Sequence, residues 1–107
     1  MRGEERKMEE RVHAPMTPGR YLELEFLEPL EMSAYALAKA LKVDAPRVYQ
    51  IVAGKRAITA DTALRLARLF GTSEQYWINL QSRYDLEKAK MEGGEKIESE
   101  VRPLAMA

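Results

Sequence analysis

The chain has 107 residues, 46% hydrophobic and 32% charged, enough for one small core with its polar surface but short for a second full domain. It has no cysteine, which excludes a disulfide framework and a thiolate metal site and makes a reducing, cytoplasmic setting the expectation. Its apolar runs are a few residues long against the roughly 20 a bilayer demands, and the opening MRGEERKMEERVH lacks the apolar centre of a signal peptide, so a soluble protein with no membrane partner is expected.

The formal net charge of zero hides an uneven distribution. Between Ser33 and Phe70, Lys39, Lys42, Arg47, Lys55, Arg56, Arg65 and Arg68 face only Asp44 and Asp61, while both flanks are acidic. Such a local field attracts phosphate, because screening makes nearby charges count most. A solvated helix surface would give the same count, so charge alone does not decide.

Residues 1–14 are mostly charged and without apolar period, the pattern of a flexible arm. Thr17 followed by Pro18 reads as a cap and a proline at the first helical position, and Tyr21, Leu22, Phe26 and Leu27 give the first helix its apolar spacing up to Pro29. Ser33 is the expected cap of SAYALAKAL, with Leu37, Ala38 and Leu41 on one face. Val43 and Asp44 form a turn, Asp44 capping a third helix from Ala45 to Ala53 that Gly54 closes. On it Val48, Ile51 and Val52 point one way and Arg47, Tyr49 and Gln50 the other. Thr59 caps a fourth helix, ADTALRLARLF, with Asp61 in its first turn and Gly71 at its end. Ser73 starts the fifth and longest, with Trp77, Leu80 and Tyr84 at helical spacing, and Gly93 and Gly94 are expected to break it. The expected class is therefore all-α, with a domain over residues 15–92 and a tail over 93–107.

Two short helices joined by a tight turn have the proportions of a helix-turn-helix, whose second member enters the major groove. Such a helix needs an apolar face bolted to the domain, donors toward base edges, and flanking cations for phosphates. Arg47 and Gln50 supply donors, Tyr49 can reach a phosphate or a thymine methyl, and Lys55 and Arg56 follow the helix end. A bundle built only for stability also has charged outer faces, but a nine-residue helix that would be marginal alone makes more sense where a groove sets its size.

The segment GKRAITADTALRLARLFGTSEQYWINLQSRYDL, with PGRYLELEFLEPLEMSAYALAKAL upstream, resembles the HigA branch of the Xre-type helix-turn-helix proteins, the antidote partners of toxin–antitoxin modules. The resemblance covers Pro18 to Leu86. It implies a five-helix, lambda-repressor-like domain, a homodimer on a palindromic double-stranded operator in its own promoter, and a complex with a RelE-like mRNA-cleaving toxin. Carried over by position, Ala45, Pro46, Arg47, Tyr49 and Gln50 would read bases. Ser33, Ala34, Lys55 and Arg56, with Lys39 and Lys42 nearby, would face phosphates. Many relatives carry a small polar residue where Ala45 and Pro46 stand, which shifts specificity toward Arg47 and Gln50, and a glycine where Glu31 stands. A stand-alone regulator of the same family is the alternative.

Other residues carry less. Trp77, Tyr76 and Tyr84 could form a stacking platform for single strands, but aromatics at helical spacing are core or interface first. His13 reads as solvated, and MEGGEK lacks the preceding strand and spacing of a phosphate loop. Glu9 with Glu10, and Glu98 with Glu100, sit in flanks too loose for catalytic carboxylates, although Glu4 to Glu10 and Glu92 to Glu100 are acidic enough to meet a basic toxin. No nucleophile, metal cage or cofactor site emerges, so no enzyme is expected.

Overall fold

In the computed structural model, which describes residues 15–105, five helices and no strand account for the regular structure. The arm over residues 1–14, with His13 and Glu4 to Glu10, lies outside the described residues. α1 starts at Pro18–Leu22, where Thr17 Oγ1 accepts from the Arg20 amide at 3.1 Å. It then widens into a π-helical turn, Glu23–Leu27, with the Glu28 amide donating to Glu23 O at 2.9 Å. The extra residue per turn was not visible in a pattern read at 3.6 residues per turn. α2 spans Ala34–Leu41, α3 Ala45–Val52, α4 Ala60–Phe70 and α5 Glu74–Glu100.

Besides Thr17, two more of the expected caps form, Ser33 Oγ accepting from the Ala36 amide at 3.0 Å and Thr59 Oγ1 from Thr62 at 3.4 Å, and Ser73 Oγ at the start of α5 accepts from Tyr76 at 3.1 Å. Asp44 stands at the N-cap of α3 with extended backbone but makes no capping bond. Gly54 and Gly71 take positive φ after α3 and α4, as their helix-end positions require.

Residues Met16–Tyr84 form one unit. Its core joins Leu22 and Leu27 of α1, Leu37, Ala38 and Leu41 of α2, Val48 and Ile51 of α3, Ala63, Leu66 and Ala67 of α4, and Trp77 of α5, with Ile58 from the loop. Trp77 is fully buried, its ring centroid 5.0 Å from Phe26, and its indole N–H donates to Thr72 Oγ1 at 2.7 Å. It is therefore core and not a stacking platform. Gln81 Oε1 accepts the Ile58 amide at 2.8 Å, fastening the loop after α3 to α5. Gly19 and Ile51 bring α1 and α3 together so closely that a Cβ on Gly19 would lie 1.6 Å from the Ile51 carbonyl oxygen.

From Asp85 onward the chain is a unit apart. Its part of α5 runs through Gly93 and Gly94 to Glu100, so the expected break at the glycines does not occur. Each glycine costs a helix about 1 kcal/mol relative to alanine, a penalty that long flanks of strong helix formers such as Glu and Lys absorb. Leu86, Met91 and Ile97 are exposed along it.

Candidate nucleic-acid interface

The turn between α2 and α3 is made by a lysine. Lys42 adopts φ +61°, a left-handed conformation costing an L-residue about 1 kcal/mol, and the Val43 amide closes onto Ala38 O at 3.1 Å. The chain thereby reverses within three residues, and α2 and α3 share one apolar seam through Leu37, Ala38, Leu41, Val48 and Ile51.

With its apolar face so used, α3 presents Pro46, Tyr49 and Gln50 to solvent, Tyr49 being 53% exposed. Eight residues at 1.5 Å rise make a helix about 12 Å long, close to the width of a DNA major groove. Ala45, at its start, is partly buried against the core. Gln50 Oε1 accepts from Arg56 Nη1 at 3.3 Å, which leaves the amide nitrogen of Gln50 free to donate outward. The Lys55 amide closes onto Gln50 O at 2.8 Å, holding the backbone of the cationic pair Lys55 and Arg56 against the end of α3.

Ser33 and Ala34 open α2, whose first amides form the positive end of the helix dipole, a natural seat for an anion. Lys39 lies over the exposed Tyr35 ring at 5.4 Å, a pairing the sequence pattern did not single out. Lys42 is at the opposite end of α2, about 12 Å from Ala34 by helix rise, so the expected phosphate contacts do not form a single cluster.

Arg47 differs from the free donor expected of it. Its side chain is only 20% exposed, and Nη2 donates to Asp61 Oδ2 at 2.6 Å and to Thr62 Oγ1 at 2.7 Å. Asp61 Oδ2 also accepts from Arg65 Nε at 2.9 Å, and Arg65 Nη1 donates to the Leu41 carbonyl at 2.8 Å. Hydrogen bonds from Arg47 and then Arg65 hold the Asp61 carboxyl below the usual carboxylate range. Two of the seven central cations are thus spent on one carboxylate. Among the described residues Lys39, Lys42, Lys55, Arg56 and Arg68 have no carboxylate partner and supply the field.

The helix-turn-helix family profile matches residues 24–77, about half of the chain, enclosing α2, the Lys42 turn, α3 and α4. The chain belongs to the Xre-type helix-turn-helix family. Among curated members it is 52% identical to virulence-associated protein I of Dichelobacter nodosus over 75 residues, 70% of this chain and 69% of that one. Among solved structures it is similar to Pseudomonas aeruginosa antitoxin HigA with the higBA promoter, at 50% identity and TM-score 0.82, covering 85% of this chain and 99% of that one. A HigA-family addiction module antidote protein from Coxiella burnetii matches at 49% identity and TM-score 0.80, over 84% and 98% of the two chains.

At this face the Xre-type chain presents donors and cations to solvent, Gln50 with Lys55 and Arg56. Among the described residues no His, Cys, Asp and Glu group could hold a metal ion, and no helix is long and apolar enough to cross a membrane. The Asp61 junction went unseen in the sequence, where Asp61 reads as a favourable charge in a first helical turn. The i, i+4 spacing of Asp61 and Arg65 was legible; the 14 residues to Arg47 conceal the rest.

Proposed function

We propose that this protein is a sequence-specific DNA-binding repressor that also serves as an antitoxin. It binds double-stranded operator DNA as a homodimer, each subunit placing α3 in a major groove, with the two helices about 34 Å apart on a palindrome. Tyr49 and Gln50 reach base edges, with Pro46 and Ala45 making apolar contact where a thymine methyl lies beside the helix start. Ser33 and Ala34 hold a phosphate at the start of α2, Lys55 and Arg56 hold another past α3, and Lys39 and Lys42 add a longer-range field.

The observation that carries the reading is the exposed Tyr49 and Gln50 face of α3 in a chain half identical to a HigA solved with promoter DNA. The antitoxin role draws on the same relative and on the antidote protein of Coxiella burnetii. Its partner is a RelE-like mRNA-cleaving toxin, with the acidic Glu92 to Glu100 stretch suited to a basic surface. The protein acts by binding in the cytoplasm, without catalysis.

The test is a titration on the protein's own promoter and on a scrambled fragment of equal length, at two salt concentrations. Preference for the promoter by roughly several hundredfold or more, persisting at the higher salt, supports operator recognition. Equal, salt-sensitive binding to both overturns it. For the second role, co-expression with the product of an adjacent small reading frame should relieve the growth arrest that product causes. Arrest that persists leaves a stand-alone regulator.

A further inference from the structure

Arg47 occupies the third position of α3, where an arginine pointing outward would reach a guanine. Its guanidinium points inward instead. A bidentate contact to a guanine O6 and N7 uses Nη2 together with either Nη1 or Nε, so both modes need Nη2. Both hydrogens of that nitrogen are committed, one to Asp61 Oδ2 at 2.6 Å and one to Thr62 Oγ1 at 2.7 Å. Withdrawing it would remove a charge-assisted bond and take a donor from Thr62, which is 4% exposed.

Asp61 is the meeting point of two ties. Through Arg47 it holds the start of α3, and through Arg65 and the Leu41 carbonyl it holds the end of α2. Both ends of the Lys42 turn are thereby fixed to the first turn of α4. Side chains further along α3, Tyr49 and Gln50, inherit their direction from this anchorage, because a small rotation of a short helix displaces its outward side chains relative to anything they touch.

We propose that Arg47 is a positioning residue and not a base reader: clamped by Asp61 and Thr62, it sets the angle of α3 so that Tyr49 and Gln50 read the operator. This rests on the repressor reading above. Removing the clamp lowers operator affinity without changing which base pair is preferred at any position, and Asp61, which would touch no base, behaves as Arg47 does.

The experiment measures binding of wild type, Arg47→Met, Asp61→Asn, the double variant and Arg47→Lys to the promoter operator and to its full set of single-base-pair substitutions, at a temperature where thermal unfolding shows each to be folded. Each single neutral variant should bind about tenfold more weakly, the double variant should lose clearly less than the two single losses combined, and Arg47→Lys should recover part of the loss. The base-pair profile should match wild type throughout. Loss of discrimination at one base pair in Arg47→Met, or Asp61→Asn binding as tightly as wild type, would overturn the positioning role. Asp61→Asn leaves Arg47 in place, so it decides the matter even where Arg47→Met does not fold. A wild-type protein that does not prefer its promoter would instead overturn the repressor reading itself.

Discussion

A methyl group at position 19 would stand 1.6 Å from the Ile51 carbonyl oxygen, so α1 and the end of α3 meet backbone to backbone. Neither side can yield without moving a helix. Gly19→Ala should cost about 3 kcal/mol, the upper end of overpacking losses, in a denaturant titration. Gly93→Ala, where an added Cβ meets nothing within 4 Å, should not destabilise. Neither glycine announces this difference in the sequence, since a close approach depends on a partner 32 positions away. Arg47 illustrates the same limit. Its helix and its position on it are legible from local pattern, but the direction of its guanidinium is set by Asp61 and Thr62, two turns and a loop further on. Tyr49 and Gln50, whose surroundings lie within their own helix and the residues just after it, stand where the pattern places them.

Helix starts were the most readable elements because a cap is a contact over three residues. Ser33 and Asp44 occupy equivalent positions at the starts of α2 and α3, yet only Ser33 makes the side-chain bond. Ser33→Ala should therefore cost about 1 kcal/mol in thermal unfolding, and Asp44→Ala less than about 0.5 kcal/mol. Equal losses would show that the charge of Asp44 acts on the α3 dipole despite the missing bond. Ends were harder to read. A glycine pair is a local stop signal, but α5 continues through it because helix once formed propagates at low cost per residue. The π-helical Glu23–Leu27 has no composition of its own and reflects how α1 fits its neighbours.

At the scale of the Met16–Tyr84 unit, α1 and α5 are joined by the Tyr76 hydroxyl donating to Tyr21 at 2.9 Å. Burial, and then that bond, pushes the Tyr76 phenol up to about 12. A folded pKa above the unfolded value near 10 means the contribution is complete below about pH 10 and lost as pH rises toward 12. Tyr76→Phe should flatten the fall in unfolding midpoint across that window; an unchanged slope would assign the fall to other groups. The cations that have no carboxylate partner among the described residues act over the same whole unit, and Lys55→Ala should weaken promoter and scrambled DNA alike while reducing the salt slope by about one. The bond from the Ile58 amide to Gln81 has a consequence in time. The loop from Gly54 to Thr59 is irregular, yet at Ile58 its backbone hydrogen is enclosed and shared with α5. That amide should trade its hydrogen for solvent deuterium only when α5 lifts from the loop, making it a slow clock inside a fast segment and a reporter on the moment the floor behind α3 gives way.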